Sequence, residues 1–459
     1  MSEVYNKFLS DSKTKAFDRK HRETVNFNIG KYNVAIRGGL SQYKRLEEAK
    51  QRAANTKHKV INDLDKYLIE FEKNFIRRGG KVIWAPTKKE ALKEILAILK
   101  KHKARLIVKS KSMTTEEIDL NEFLEKNKIE SVETDLGEYI VQVAGEKPYH
   151  IVTPAMHKSK EDIAELFHEK FGIDINSTPE EMTAFVRELL RQKFVTADVG
   201  ITGANFLVAD TGSVALTENE GNGFMTFSFP KVHIAVAGIE KLVPSIDDLG
   251  HFWPLLASHG TGQNISVYNT LLNGPRQEGE LDGPEEMYVI LLDNRRTEVL
   301  KNERQRSALL CIRCGACLNA CPVYRNIGGH AYNTTYSGPI GSVITPFMRG
   351  FSDFNHLSFA STLCGSCTDI CPVKINLHEL LLYNRNEVVK KGLSTQGERF
   401  RMKNFKRIMK KRWILDSTGS GTKNMALKFF FRKSWGKKRQ LPEIREQSFK
   451  QIWVEKRKI

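Results

Sequence analysis

All seven cysteines of this 459-residue chain lie within about sixty residues, in two runs that share one spacing. Within a run, two residues separate the first three positions, three residues separate the last two, and a proline follows. The first run consists of Cys311, Cys314, Cys317, Cys321 and Pro322. The second run repeats the register with Ser361, Cys364, Cys367, Cys371 and Pro372. Thiols this dense and this regular indicate a module built around metal.

The repeated spacing is that of bacterial dicluster ferredoxins, in which three closely spaced thiolates hold one [4Fe–4S] cube and the fourth Cys ligates the other cube. It therefore predicts two clusters with different ligand sets. The ligands predicted for the first cluster are Cys311, Cys314, Cys317 and Cys371. The second cluster keeps three thiolates, from Cys321, Cys364 and Cys367. Its ligand set is incomplete, and the candidates for the fourth ligand are Ser361, His356, Asp353 and His330, or a water.

Two other interpretations of the cysteines fit less well. Structural zinc uses separated Cys pairs or Cys and His mixtures that close one tetrahedral site, and four thiols within eleven residues do not follow that pattern. Disulfide frameworks belong to oxidising compartments and small secreted domains. The sequence begins without an apolar run behind a basic start, so we expect no signal peptide and a cytoplasmic protein.

The net charge of +18 is concentrated at the carboxyl end. Residues 391–459 hold 21 Lys and Arg against 5 Asp and Glu, and aromatic residues are interleaved with them at 429–433 and 435–439. Such a segment is suited to an acidic redox partner or to the anionic inner face of a membrane, which would make the protein peripheral there. A solvated basic tail with a short packed helix is the alternative. We do not expect nucleic acid as the partner.

Length and patterning predict two or three domains. We expect a helical amino-terminal segment at 1–60, with a solvated helix at 46–54 and a loop at 27–32. An α/β domain is expected at 61–295, an α-helical dicluster module at 296–385 and a basic extension at 386–459. Apolar runs predict buried strands at 81–85, 105–109, 195–201, 213–216, 232–237 and 287–292, and helices at 88–101 and 180–193.

The densest polar cluster of the α/β domain follows its strands, where open α/β sheets place their ligands. Glu218, Glu220 and Lys111 are candidates for catalytic groups. A lysine could bind the carboxylate of a small acid, and a glutamate could accept the proton of its hydroxyl group. Loop capping is the alternative for both glutamates, and residues 210–212 could be a hairpin turn. Lys109 and the hydroxyls beside it add further donors. The Gly-rich phosphate-binding motifs that would indicate nucleotide binding are missing from the sequence.

With these features together, the sequence resembles the lactate utilisation protein B family over nearly its whole length. The resemblance implies a domain similar to the NagB/RpiA/CoA-transferase fold, followed by the dicluster module, whose family ligand sets fall on the cysteines assigned above. It also implies partners: an A subunit rich in Cys-Gly redox motifs and a C subunit with a second lactate-utilisation domain. Together these subunits oxidise L-lactate to pyruvate. The electron acceptor stays open.

Three functions remain in view at this point. The favoured one is an electron-transfer subunit, since two one-electron cubes suit a two-electron oxidation. Alternatively, the α/β domain is itself catalytic on a 2-hydroxy acid near Glu218, Glu220 and Lys111, although no flavin or nicotinamide motif accompanies them. The third is a nucleic-acid-binding iron–sulfur protein that uses the basic tail.

Overall fold

A computed structural model describes residues 2–411, 413, 417–435 and 440–457. It divides into two compact units, one ending at Val388 and the other beginning at Val389. Its α-helices up to Val389 are α1 Glu3–Phe17, α2 Arg19–Leu40, α3 Leu46–Asn62, α4 Leu64–Arg77, α5 Lys88–Lys101, α6 Met113–Glu117, α7 Leu120–Lys126, α8 Leu136–Val143, α9 Lys160–Phe171, α10 Pro179–Thr196, α11 Asn222–Ser228, α12 Ile246–Gly260, α13 Arg296–Lys301, α14 Ala316–Ala320, α15 Tyr324–Ile327, α16 Gly338–Arg349, α17 Phe351–Phe354, α18 Ser366–Asp369 and α19 Leu377–Lys390.

Ten strands form two sheets among the described residues. They are β1 Lys81–Ala85, β2 Leu106–Lys109, β3 Glu130–Glu133, β4 Val199–Thr202, β5 Phe206–Val208, β6 Ser213–Glu218, β7 Val232–Gly238, β8 Leu242–Val243, β9 Tyr268–Leu272 and β10 Glu286–Leu292. The larger sheet has the order β1-β10-β7-β4-β2-β3, and every pair in it is parallel. The smaller sheet has the order β8-β5-β6-β9. The predicted α/β class is confirmed.

The central strands are buried along their whole length. Every residue of β4 and of β7 is buried, because helices cover both faces of a parallel sheet. The predicted helix at 88–101 has the predicted bounds. The predicted strand at 195–201 begins only at Val199, because α10 continues to Thr196. Residues 210–212 are the turn between the antiparallel strands β5 and β6, and Gly212 has a φ of 66° there.

Two expectations for the amino-terminal segment are wrong. Residues 27–32 are not a loop but lie inside α2, where Val25 and Ile29 are fully buried one helical turn apart. Helix α3 is not solvated either, because Ala53 and Ala54 face the core. Small residues let α3 pack closely, and its buried lysine Lys57 donates to the carbonyl oxygens of Glu240 (2.6 Å) and Leu242 (3.0 Å).

The second unit begins at the end of α19. Its helices are α20 Gln396–Lys410, α21 Ser420–Trp435 and α22 Phe449–Lys456. Thr395 begins α20 by accepting the backbone N–H of Glu398, and the helix exposes Phe400 and Phe405 beside its basic residues. Arg412 and residues 436–439, which belong to the predicted basic and aromatic pattern, lie outside the described residues. In the part of the chain that the structure describes, none of the helices is long and apolar enough to cross a bilayer.

Candidate functional site

The four cysteines assigned to the first cluster face one apolar cavity. Cys311, Cys314, Cys317 and Cys371 line it, although Cys371 comes from the second run. The rest of the lining is mostly aliphatic and includes Ile151, Ile312, Ile340, Val373, Ile375 and Leu377. Soft thiolates inside an apolar shell are the donor set that iron–sulfur clusters select. The residues present therefore fit a cluster.

Burial dominates the acid–base behaviour of these thiols. It raises the pKa of Cys371 to about 11 and raises the pKa values of Cys314 and Cys317 well above the usual range. Mutual repulsion adds to this effect, since Cys314 lies within electrostatic range of both Cys371 and Cys311. Only a bound cation would make four clustered thiolates favourable here, because a coordinating metal deprotonates its thiols.

The three cysteines assigned to the second cluster also come together. Burial first, and then the neighbouring Cys321 and Cys364, raise the pKa of Cys367 to about 11. Cys321 is buried, whereas Cys364 is exposed. Helices α14 and α18, which contain Cys317 and Cys367, pack against each other and so bring the two runs together. This set is the one that reaches the surface.

Basic side chains surround the first set, although burial lowers the pKa of Lys57 to about 7 and that of Lys241 to about 8. Four of them lie within electrostatic range of Cys311 or Cys371, namely Lys50, Lys57, Lys241 and Arg313. Lys50 is 5% exposed, and its Nζ donates to the carbonyl oxygen of Asp369 at 2.8 Å. Positive charge near a cluster stabilises its reduced form, because reduction adds a negative charge. This arrangement could not be predicted from the sequence, since these residues come from separate segments.

A cavity of about 330 Å³ opens beside the first set, at the carboxyl ends of β2 and β4. The three candidates Lys111, Glu218 and Glu220 all line it, together with Asp135. Arg313 and Cys314 line it as well, so the cavity borders the loop that carries the first cluster's cysteines. Sequence reasoning found three polar residues of this cavity but missed Asp135 and Arg313.

The candidates play different local roles. The Glu218 carboxylate accepts the backbone N–H groups of Gly223 and Phe224, each at 2.7 Å, and so caps α11 while facing the cavity. Lys111 donates to the carbonyl oxygen of Val152 at 2.6 Å. Because Glu218 is committed to its helix, the capping alternative describes it better than a catalytic role does.

Glu220 is the acid of this cavity with the most unusual proton affinity. Burial, and then repulsion by Asp135, raise its pKa to about 7, while the charge of Lys111 works in the opposite direction. Its carboxylate accepts the backbone N–H of Leu136 at 3.2 Å. A carboxyl group with a pKa near neutrality can exchange a proton with a ligand.

Lys109 does not face the cavity, contrary to expectation. It is fully buried beneath the sheet edge, with its Nζ 2.7 Å from Glu133, 3.4 Å from Glu116 and 3.9 Å from Glu138. Lys109 is the last residue of β2, whereas Lys111 lies beyond the end of the strand, in the loop that lines the cavity, so strand alternation does not place the two side chains together. Lys109 therefore supports the fold and is unavailable to a ligand.

The candidates for the fourth ligand of the second cluster occupy different surroundings. The His330 Nε2 donates to the carbonyl oxygen of Lys147 at 2.7 Å, and its ring lies 4.8 Å from that of His157. The His356 ring packs against Phe8, with centroids 4.9 Å apart. Ser361 Oγ accepts the backbone N–H of Leu363 at 3.1 Å, next to Cys364 in sequence.

Comparison with known proteins supports this two-part organisation. The family described as LUD domain matches residues 68–292, and the family described as 4Fe-4S dicluster domain matches residues 307–375. The curated Lactate utilization protein B of Bacillus cytotoxicus is 48% identical over 360 residues, which cover 78% of this chain and 76% of the relative. This chain belongs to the lactate utilization protein B family. The family's protein from Bacillus licheniformis is 45% identical over 404 residues, 84% of either chain.

A solved structure is also similar. It is the crystal structure of a DUF162 family protein from Deinococcus radiodurans, 16% identical, with a TM-score of 0.26 and coverage of 50% of this chain and 98% of that chain. The match to a dicluster domain means that iron–sulfur clusters are the expected cofactors of this family member. The iron–sulfur and lactate-utilisation character predicted from the sequence is confirmed at that level.

Proposed function

We propose that this chain acts in lactate utilisation as the iron–sulfur subunit that carries electrons from L-lactate oxidation toward a downstream acceptor. One observation carries the proposal. The polar cavity borders Cys314 of the first cysteine set, while the second set reaches the surface at Cys364. Electrons would enter on the cavity side and leave on the exposed side.

When bound, two [4Fe–4S] clusters would each carry one electron at a time. The chain's own residues set the direction of transfer. Cations such as Lys50 and Arg313 favour the reduced state at the first site, which suits a donor as mild as the lactate/pyruvate couple. The buried thiols of that site exclude water, whereas the exposed Cys364 leaves the second site open to a redox partner.

The partners follow from the family. We propose that the chain assembles with the A and C subunits of a lactate-utilisation system, and that one of them takes part in the two-electron step. The basic extension from residue 391 onward is the proposed docking region for an anionic partner, with the inner face of a membrane as the alternative surface. The chain would then be cytoplasmic or peripheral.

The decisive experiment is an anaerobic reduction assay on the full chain. L-lactate alone should leave the visible cluster absorbance unchanged, and adding the A and C subunits should bleach it. A Cys314→Ala variant, assayed with the same subunits, should lose reduction at both sites, because the first site feeds the second. Fast bleaching of the isolated chain by lactate would overturn this proposal.

A second candidate function is favoured by the cavity itself. Its volume of about 330 Å³ suits a small acid, with Lys111 to attract the carboxylate and Glu220 to exchange a proton with the hydroxyl group. The α/β domain would then bind the 2-hydroxy acid directly. Binding of L-lactate to the anaerobic chain should weaken in Lys111→Met and survive in a matched surface variant, Lys193→Met. Equal binding by both variants would remove Lys111 from the site.

A further inference from the structure

The two cysteine runs form loops of the same shape. Two residues after the first slot, Arg313 and Leu363 both adopt left-handed backbone, with φ of 63° and 56°. Two residues later, Gly315 and Gly365 do the same, with φ of 78° and 85°, and a short helix follows in each case. Left-handed backbone is uncommon for residues with a side chain. Its recurrence at matched positions indicates a shared ligand-loop geometry.

The first slot has the same hydrogen bond in both loops. The backbone N–H of Arg313 donates to Cys311 Sγ at 3.4 Å, and the backbone N–H of Leu363 donates to Ser361 Oγ at 3.1 Å. Each bond runs from the residue two positions further along the chain. Ser361 Oγ therefore has the same orientation relative to its loop as Cys311 Sγ has in the first loop. There, the sulfur faces the first cysteine set.

The segment that carries Ser361 is fixed from the next helix. Arg385 of α19 donates through Nε to the carbonyl oxygen of Ser358 at 2.9 Å and through Nη2 to that of Ser361 at 3.3 Å. Its guanidinium also lies 5.1 Å from the ring centre of Phe359. This clamp holds the backbone of the first slot independently of any ligand.

We propose that Ser361 Oγ is the fourth protein ligand of the second cluster, bound to the iron that no thiolate reaches. The inference rests on the proposed cluster ligation. Two other hydroxyls lie closer to Cys364 in sequence, those of Thr362 and Ser366, and both hydrogen-bond to its sulfur. A hydroxyl that is hydrogen-bonded to a ligand sulfur supports that ligand, whereas Ser361 Oγ accepts the backbone N–H of Leu363 and occupies the slot of a ligand.

An oxygen ligand changes how the cluster responds to oxidation. Iron–sulfur clusters select soft sulfur ligands, so the iron held by Ser361 is the least firmly bound of the eight in the two cubes. Mild oxidation with ferricyanide removes one electron from [4Fe–4S]²⁺, and one Fe²⁺ leaves to give [3Fe–4S]⁺. The second cluster should undergo this conversion before the first.

The test uses the anaerobically purified full chain and starts with iron and sulfide analysis, which shows whether both clusters are present. The wild-type chain is titrated with ferricyanide, and the [3Fe–4S] EPR signal is followed together with released iron. Ser361→Cys should suppress the early conversion, and Ser361→Ala should accelerate it. Ser352→Ala, which changes an exposed serine of α17, is the matched control and should convert as the wild type does.

The reciprocal substitution in the first loop tests the same argument without changing the second loop. Cys311→Ser places an oxygen in the equivalent slot of the first loop, so the first cluster should become as easily converted as the second, and the signal should double. If Ser361→Ala and Ser361→Cys both convert at the wild-type rate while two clusters are present, Ser361 is not a ligand. A chain with two clusters can fail this test and still transfer electrons, so the two proposals are separable.

Discussion

Replacing Lys109 should destabilise the α/β domain more than any exposed lysine does. Its ammonium group is the buried cation of a cluster that also contains Glu116, Glu133 and Glu138. Burial alone would lower the pKa of Lys109, but the three neighbouring carboxyl groups more than offset this, and its pKa is raised. Burial and then Glu133 raise the pKa of Glu138. The carboxylate nearest to the Lys109 ammonium group is that of Glu133, at 2.7 Å.

Lys109→Met leaves that carboxylate buried without a cation. Breaking a buried pair in this way costs about 3–5 kcal/mol, whereas an exposed pair contributes about 1 kcal/mol or less. A natural domain has only about 5–15 kcal/mol of unfolding free energy, so the variant should lose a large fraction of it. The matched control is Lys193→Met, which removes a partly exposed pair with Glu130 in the same domain.

Urea unfolding of the anaerobic full chain, followed by tryptophan fluorescence, measures the difference. With a slope of about 3 kcal/mol per M, the midpoint should fall by roughly 1–1.7 M for Lys109→Met and by a small fraction of that for the control. Lys109→Met/Glu133→Met should recover part of the loss, because apolar residues can replace a buried pair. A midpoint for Lys109→Met equal to that of Lys193→Met would refute the argument that Lys109 neutralises buried charge.

Three further predictions concern the sites. Glu220 titrates at about 7 when folded against an ordinary 4.5, so the folded state binds its proton more tightly and stability falls as pH rises through that window. The Glu220 carboxylate lines the cavity, but the residue as a whole is exposed at the cavity mouth, so solvent screens its charge. Glu220→Gln should therefore add only roughly 1 kcal/mol at about pH 8 and nothing near pH 4, as measured by urea unfolding. Lys50→Met should lower the reduction potential of the first cluster on the order of 50–100 mV, with Lys193→Met unchanged, in a redox titration. Anaerobic protein should contain iron and sulfide for close to two clusters, and zinc alone would contradict the ligand assignment.

The sequence predicted the elements with strong local patterns. The helix at 88–101 and the central strands follow from apolar spacing, and the cysteine register anticipated which thiols the fold would bring together. A loop was expected at 27–32 because Asn28 and Gly30 locally favour turns, and this expectation is wrong. Tertiary burial of Val25 and Ile29 stabilises a helix through them, and such burial is invisible to local propensity.

The site was predicted only where its residues are close in sequence. Glu218 and Glu220 were found because both lie at the end of one strand, but which of them caps a helix and which acts as a cavity acid depends on where α11 begins. Asp135, Arg313 and the cations around the first cysteines come from segments far apart in the chain. Electrostatic neighbours of this kind appear only when the chain is folded, since charge patterning along a sequence carries no information about them.

The repeated loop explains why the second site can tolerate the loss of one thiolate. In both loops the left-handed residue and the following glycine are set by backbone conformation, so the first slot keeps its direction whichever side chain fills it. Arg385 then holds the Ser361 loop from α19, which supplies rigidity that four thiolates would otherwise give. The first loop is fixed differently, by burial among aliphatic side chains beside the polar cavity. Under the proposed function, an all-thiolate site next to the cavity and a clamped, oxygen-containing site at the surface would divide the roles of electron entry and exit between two copies of one loop.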